Sequence, residues 1–208
     1  MIIEKKCKVC RKVGQKMLLN ERCASGKCAL DRRRTKPGMH TKSKRRKVMS
    51  QYGKELLEKQ KLRYSYILKE KQLASLARKA LKSKEPAPSA LAKLLERKFS
   101  NVVWLMGYTS SKTGARQSIA HGHFLVNGKK VKSHSYVVKP KDVIEIREQS
   151  KNMQIFKDVI VRLERYTPPA WLKMDPKTLK SEVIRFPETE ELNLPINFNL
   201  VIDFYSRH

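Results

Sequence analysis

The sequence predicts an α+β fold in which helical segments flank a small antiparallel sheet. Apolar residues recur at helical spacing between positions 73 and 81, and again near the end of the chain. Between these segments, an Asn-Gly pair at 127 and 128 separates two short runs of β-favouring residues, which is typical of a β-hairpin. With 208 residues, of which 40% are hydrophobic, the chain can build one or two small cores.

The first 50 residues differ from the rest in net charge and in their content of apolar residues. They carry 17 Lys and Arg against three Asp and Glu, so they hold a net charge of +14, half of the +28 of the whole chain. They contain few large apolar residues, and we expect an extended arm with one locally folded segment around the cysteines. A chain with this excess of positive charge is expected to bind a polyanion, for which nucleic acid is the default.

Membrane insertion and catalysis are not expected. The longest apolar stretch, Val102 to Tyr108, is far shorter than the ~20 residues of a membrane span. Residues 1–6 lack the apolar core of a signal peptide, so we expect a reducing compartment in which disulfides are rare. We find no Ser/His/Asp set, carboxylate pair or phosphate-cradling glycine loop, and therefore predict no enzyme.

Four cysteines follow the spacing C-x2-C-x12-C-x4-C, and they are Cys7, Cys10, Cys23 and Cys28. Two close pairs joined by a short loop allow four thiolates to bind one tetrahedral Zn²⁺, and four sulfur ligands leave no open position for catalysis. Because this polar segment cannot fold by apolar burial alone, the metal would supply its folding energy. The alternatives are reduced thiols, a disulfide or an iron–sulfur cluster, and His40 is a distant spare ligand.

The helices are predicted from apolar spacing and capping residues. A helix over 52–82 has one apolar stripe, formed by Leu73, Leu76, Ala77, Ala80 and Leu81, and its beginning could be a separate helix. After a Pro-rich linker at 83–88, capped helices are expected to begin at Ser89, at Ser100 and at Ser110 or Ser111. Gly107 and Gly122 are expected to end the last two. Further helices are predicted over 156–163 and around 200–205.

Short runs of β-favouring residues predict the strands, which are 124–126, 129–131, 136–138, 143–146 and 182–186. Asn127 and Gly128 join the first two, because both central residues of a type I′ turn need positive φ. A turn at 139–142 separates the next two strands.

Basic residues surround the predicted helix and hairpin at 110–131. Lys112 and Arg116 are four residues apart and share one helix face. The helix leads into the hairpin, whose second arm begins with Lys129 and Lys130. These cations can therefore contact phosphates on one surface, although in a less basic chain we would interpret them as an ordinary solvated face.

The segment SSKTGARQSIAHGHFLVNGKKV, residues 110–131, resembles the RNA-binding motif shared by the S-four family of small-subunit ribosomal proteins and several RNA-modifying enzymes. Other segments also fit the ribosomal family, and they are CKVCRKVGQKMLLNERCASGKCALDRR with KPGMH, EKQKLR, NVVWLMGY, YVVKPKDVIEI and INFNLVIDFYSR. The cysteine-containing segment is similar to the zinc-bearing N-terminus of bacterial-type members. The resemblance covers almost the whole chain.

The resemblance implies two lobes after a basic arm at 1–50. A helical lobe at 51–98 would be completed by residues 171–208, and an α+β RNA-binding lobe at 99–170 would be inserted between them. Members bind small-subunit ribosomal RNA early in assembly, at a junction of RNA helices. They lie beside neighbouring small-subunit proteins near the messenger entry and influence decoding accuracy. We thus expect a component of a bacterial cytoplasmic ribosome or of an organelle matrix or stroma ribosome, with no membrane and no homo-oligomer.

Charge and resemblance together predict the RNA-binding residues. They are Arg32, Arg33, Arg34, Lys44, Arg45, Arg46, Lys47, Tyr52, Arg63, Lys112, Arg116, His121, His123, Asn127, Lys129 and Lys130. Helix junctions are recognised mainly by shape and phosphate position, so most of these side chains are expected to hold phosphates. For the two histidines, packing of the turn is the alternative role.

Three positions depart from the family pattern. Ser100, Leu105 and Lys112 stand where the family usually has Asp, Arg and Arg, and Lys112 keeps the charge without the forked donor geometry of arginine. Two other functions compete with the ribosomal one. An RNA-modifying enzyme would need a further catalytic domain, and a zinc-dependent DNA-binding regulator would need a recognition helix with a dimer interface; we find neither.

Overall fold

The computed structural model describes residues 5–23, 26–38, 48–157, 159–164, 166–176, 178–188, 191 and 195–207. The helices are α1 (Lys6–Val13), α2 (Ala29–Arg32), α3 (Gln51–Ser65), α4 (Glu70–Leu81), α5 (Ala87–Glu96), α6 (Phe99–Leu105), α7 (Lys112–His121), α8 (Glu148–Lys151), α9 (Gln154–Lys157), α10 (Val159–Glu164) and α11 (Phe198–Arg207), with a 3-10 turn at Glu21–Cys23. The strands are β1 (Phe124–Val126), β2 (Lys129–Lys130), β3 (Val143–Ile146), β4 (Leu172–Asp175) and β5 (Lys180–Val183). This mixture of helices and antiparallel strands confirms the predicted α+β class.

The chain divides into two compact units, residues 1–92 with 194–208 and residues 93–193. The return to the first unit therefore occurs near position 194 and not at the predicted position 171. The physical reason is strand pairing, because β5 pairs with β3 and β4 pairs with β5, which keeps both late strands in the second unit. In the described parts of the chain, no helix is long and apolar enough to cross a bilayer.

The first unit is helical, and its two central helices are separated by a tight turn. The predicted helix over 52–82 is two helices, because Ile67 adopts a left-handed backbone (φ 52°) after α3. The N–H of Leu68 donates to the carbonyl of Arg63 at 2.9 Å and thereby closes the helix end. Both Ile67 and Leu68 are buried, so apolar contact accompanies the turn.

The C-terminal helix α11 packs on α3 and α4. The Tyr205 hydroxyl donates to Glu70 Oε1 at 2.7 Å, and Arg207 Nη1 lies 3.2 Å from the buried carboxylate of Glu55. The Lys59 ammonium lies 4.2 Å from the centroid of the Phe204 ring. Helices that are far apart in the sequence thus pack together in the first unit.

The second unit contains an antiparallel sheet in the order β2-β1-β3-β5-β4. Its core contains aromatic side chains among aliphatic ones, with Phe99 and Phe124 ring centroids 6.2 Å apart and Phe124 and Phe156 centroids 5.9 Å apart, both edge to face. The hairpin between β1 and β2 is confirmed, since Asn127 and Gly128 have φ of 49° and 75°.

Several predicted elements differ from those in the structure. The segment 136–138 is not a strand, because Val137 forms only an isolated bridge with Lys98. The backbone of the segment forms hydrogen bonds with the residues between α5 and α6 and with the first residue of α6. The predicted strand at 182–186 lies earlier, as β5, and β4 was not predicted. Helices α5 and α6 begin at Ala87 and Phe99, one or two residues before the predicted caps. The predicted helix at 156–163 corresponds to α9 and α10.

Candidate nucleic-acid interface

Helix α7 and the β1–β2 hairpin form one connected structure. The Ser111 hydroxyl accepts a hydrogen bond from the Gly114 N–H at 3.1 Å, which confirms Ser111 as the cap. At the other end, Gly122 adopts φ 75°, and the Lys130 side chain lies directly over it, so a Cβ at Gly122 would collide with the Lys130 Cε. Glycine therefore permits the approach of Lys130 to the end of the helix. Both Lys129 and Lys130 are exposed on β2.

Asn127 supports the hairpin through its side chain. Its Nδ2 donates to Asp142 Oδ1 at 2.9 Å, and its Oδ1 accepts the N–H of Val143 at 2.9 Å. The second oxygen of the buried Asp142 accepts the N–H of Lys139 at 2.8 Å. The amide of Asn127 is thus occupied by contacts inside the protein, and its predicted contact with RNA stays a prediction.

The two predicted cations of α7 are half-buried. The Lys112 ammonium lies 4.6 Å from the centroid of the Trp104 ring, and burial lowers its pKa to about 8, opposed by the negative charge of Glu96. Arg116 Nη2 lies 2.7 Å from His134 Nε2, and burial also lowers the pKa of Arg116. Each side chain therefore has protein groups around it as well as a solvent-facing part.

The two histidines that flank Gly122 have different environments. His121 is exposed, whereas His123 is half-buried and packs edge to face on Phe156 with centroids 5.6 Å apart. His123 Nδ1 also hydrogen bonds with the Ser150 hydroxyl at 3.0 Å. Burial, followed by the charges of His121, Lys130 and Arg147, lowers the pKa of His123. These contacts favour the packing role for His123 and leave His121 available at the surface.

The predicted residues of α3 lie in the first unit. Tyr52 is 52% exposed, and its ring centroid lies 6.0 Å from that of Phe204. Arg63 Nη1 donates to Gln60 Oε1 at 3.3 Å and lies 3.6 Å from Glu70 Oε2. Arg63 therefore has intramolecular partners on one side, whereas half of the Tyr52 surface faces solvent.

The four cysteines are free thiols in the structure, and Cys10, Cys23 and Cys28 are buried. Burial raises the pKa of Cys10, and the other three sulfur groups raise it further, so the four thiols lie close enough to influence one another. A hydrogen bond with the Cys28 side chain also raises the pKa of Cys23, after burial as the main cause. Among the residues that the structure describes, no three His, Cys, Asp or Glu side chains are placed to hold a metal ion. Zinc binding thus stays a prediction.

A basic depression of about 580 Å³ adjoins this cysteine cluster. It is lined by Cys7, Arg11, Arg22, Lys27, Ala29, Arg32 and Arg33. Asp31 does not neutralise it, since its carboxylate pairs with Lys16 at 2.7 Å. Arg34, the next residue in the sequence, is exposed to solvent. The other predicted residues of this segment lie outside the described residues, and they are His40, Lys44, Arg45, Arg46 and Lys47.

The structure also brings together basic residues that we did not predict. Arg11, Arg22 and Lys27 each directly adjoin a cysteine in the sequence, and that proximity could have indicated a shared site with Arg32 and Arg33. Lys98 and His134 lie near Arg116 in the second unit, but they are 36 positions apart in sequence. No local pattern marks that pair.

Comparison with known proteins gives two family matches and many close relatives. Residues 2–96 match the family described as Ribosomal protein S4/S9 N-terminal domain, and residues 97–144 match the S4 domain. The second match contains α7 and the hairpin. The chain is 40% identical to the small ribosomal subunit protein uS4 of Thermodesulfovibrio yellowstonii, over 97% of this chain and 96% of the relative. The uS4 proteins of Desulfitobacterium hafniense and Kosmotoga olearia are 40% and 41% identical over the same shares.

Proposed function

Because this chain belongs to the small ribosomal subunit protein uS4 family, we propose that it is a structural protein of the small ribosomal subunit and binds the RNA of that subunit directly. Members of the family are structural proteins of the ribosome, and the chain is not an enzyme. The observation that carries the proposal is the α7–hairpin structure inside the S4 domain, where Lys130 lies over Gly122 and Lys129 is exposed beside it.

Binding would depend mainly on phosphate position. Lys129 and Lys130 project from a two-residue strand whose turn is held by the amide of Asn127, so the sheet fixes the backbone from which both side chains extend. Lysines on a fixed backbone suit an RNA of fixed shape, because folded RNA presents phosphates in a defined arrangement. The proposed target is a junction of several RNA helices, which the protein would bind early in subunit assembly.

The place of the protein in the particle follows from the same proposal. It would lie beside neighbouring small-subunit proteins near the messenger entry and would influence decoding accuracy. The basic depression at Arg32 and Arg33 would add a second RNA contact, since five of its seven lining residues are Lys or Arg. Because the similar relatives are bacterial proteins, a bacterial ribosome in the cytoplasm is the proposed location.

We further propose that Cys7, Cys10, Cys23 and Cys28 hold one structural Zn²⁺. The donor set supports this, since four thiolates are a preferred zinc environment and leave no catalytic position. The mutual effect of the thiols on the pKa of Cys10 also supports it. When bound, zinc would join α1 to the segment around α2. Elemental analysis of the purified protein should give about one zinc per chain, and a Cys10→Ser variant should lose it.

Titration with salt tests the RNA proposal. If ~6–10 phosphates are neutralised, affinity for a junction RNA from the small subunit should fall ~10³–10⁵-fold between ~50 and ~200 mM salt. Co-sedimentation with small ribosomal subunits at moderate salt is the second expected result. A flat salt dependence, or absence from the particles, would contradict the proposal. Duplex DNA of equal length serves as the control and should compete poorly.

A further inference from the structure

One carboxylate in the first unit connects α3, α4 and α11. Glu70, the first residue of α4, accepts a hydrogen bond from the hydroxyl of Tyr205 on α11 at 2.7 Å. The same oxygen, Oε1, lies 3.0 Å from the ammonium of Lys59 on α3. The other oxygen, Oε2, lies 3.6 Å from Nη1 of Arg63, which is one turn further along α3. A single side chain thus joins the C-terminal helix to a predicted RNA contact.

The Glu70 carboxylate is held in place from two helices. Lys59 is buried, and its ammonium also lies 4.2 Å from the centroid of Phe204, which precedes Tyr205 on α11. Burial alone would raise the pKa of Glu70, but hydrogen bonds from Tyr205 and Lys59 lower it. The charges of Lys59 and Arg63 act in the same direction. Glu70 is therefore ionised near pH 7 and is oriented by α3 and α11 through its Oε1.

Arg63 is oriented at one end of its guanidinium. Its Nη1 donates to Gln60 Oε1 at 3.3 Å and faces the carboxylate of Glu70. The guanidinium carbon lies 5.2 Å from the centroid of the Tyr64 ring. The side chain is 24% exposed, and with Gln60 and Tyr64 it lines a cavity of about 410 Å³. Arg63 is therefore held from inside the unit while part of it can reach a ligand.

The position of Glu70 leaves the charge of Arg63 usable. The carboxylate lies closer to Lys59 than to Arg63, and only the distance to Lys59 is that of a hydrogen bond. An approaching phosphate therefore does not have to break a close ion pair of Arg63 with Glu70. A guanidinium can bind a phosphate through two parallel hydrogen bonds, but only when its plane is turned correctly. A group that fixes this plane should thus strengthen binding.

We propose that Glu70 is a positioning residue for the RNA contact of Arg63, and that Tyr205 fixes Glu70 for this role. This inference rests on the proposed function and deepens it, because it makes α11 a part of the RNA-binding structure that acts through Arg63. By charge alone, an acidic side chain near RNA would weaken binding. Positioning and simple electrostatics therefore predict effects of opposite sign.

The first test compares Tyr205→Phe with Asn197→Ala in the full-length protein. Both changes are uncharged and remove hydrogen bonds of α11, since Asn197 Oδ1 accepts the N–H of Asn199 at 3.1 Å at the beginning of that helix. For Tyr205→Phe we expect affinity for the junction RNA to fall about threefold or more, because the guanidinium of Arg63 loses its fixed orientation. Asn197→Ala should change the affinity less than about twofold.

Urea unfolding of both variants sets conditions in which each is folded during the binding assay. An equal loss of affinity in the two variants would show that α11 acts only by stabilising the unit. That result, or an unchanged affinity for Tyr205→Phe, would overturn the proposal.

The second test repeats Tyr205→Phe in an Arg63→Gln background. Arg63→Gln should itself weaken binding about tenfold and lower the slope against salt by about one. If Tyr205 acts through Arg63, its substitution should cause no further loss in this background. The same loss in both backgrounds would assign Tyr205 an independent role and would rule out the positioning of Arg63.

The third test uses the sign of the effect, with Glu85→Gln as the control for Glu70→Gln. Both remove one negative charge, and Glu85 is exposed between α4 and α5. Glu70→Gln should weaken RNA binding about threefold, whereas Glu85→Gln should leave it unchanged or strengthen it. Stronger binding by Glu70→Gln would mean that this carboxylate only opposes the RNA, and the proposal would fail.

The outcomes separate this inference from the function on which it rests. If the wild type binds no RNA of the small subunit, the proposed function fails. If it binds with a steep salt dependence but Arg63→Gln binds as tightly as the wild type, only the positioning role fails.

Discussion

Replacing Asn127 by alanine should destabilise the second unit by about 3 kcal/mol. The hydrogen bond from Nδ2 to the charged Asp142, 2.9 Å long and partly buried, is expected to contribute about 1.5 kcal/mol. The bond from the exposed Val143 N–H to Oδ1 adds about 0.5 kcal/mol. Alanine must also adopt the left-handed backbone of Asn127, φ 49°, at a cost of about 1 kcal/mol.

Urea unfolding of the full-length protein measures this loss, with Asn127→Gly as the matched variant. Glycine removes both hydrogen bonds but tolerates the backbone, so it should be destabilised less than alanine. RNA affinity measured well below the unfolding midpoint should fall for both variants, because Lys129 and Lys130 lose the support of the turn. Stability equal to the wild type for Asn127→Ala, or glycine as the more destabilised variant, would refute the structural role that we assign to this side chain.

Three further predictions concern charge, metal and pH. Arg116→Ala should weaken RNA binding about tenfold across different RNA sequences with little change in preference, as competition assays would reveal; a selective loss for one sequence would contradict a phosphate contact. Chelation should increase hydrogen exchange in residues 1–30 and leave the second unit protected, whereas collapse of both units would contradict the assigned boundary. Because the pKa of Lys98 is lowered to about 8 in the folded protein, from 10.5 when unfolded, the unfolded state binds more protons between these values. Wild-type stability should therefore rise with pH in this range relative to Lys98→Met, by up to about 3 kcal/mol, and parallel pH profiles would contradict this.

The elements that could be predicted are those specified by adjacent residues. The cap at Ser111 and the turn at Asn127-Gly128 follow from local hydrogen bonding and backbone preference, and both are present. The segment 136–138 has β-favouring residues, but its backbone groups bond with Arg97 and Phe99. Its conformation is therefore determined by tertiary contacts that no local pattern contains.

The candidate site shows the same limit. Charge and spacing predicted Lys129, Lys130 and Arg116 as RNA contacts, because these lie within one short segment. They did not identify Lys98 or His134, which approach Arg116 only after α6, α7 and the loop after β2 are assembled. Nor did they predict that Lys112 would lie against Trp104, eight positions earlier, because this contact forms only when α6 and α7 pack together.

The packing of α11 on α3 affects the order in which the chain can fold as it is made. Residues 93–193 are synthesised before α11, and the strand pairing of the sheet-containing unit involves no residue of α11. The helical unit must wait for the final residues, because Tyr205 and Arg207 supply its contacts with Glu70 and Glu55. A truncation before Tyr205 would thus remove the contacts of α11 with Glu70 and Glu55, so helices far from the cut in sequence would lose packing partners.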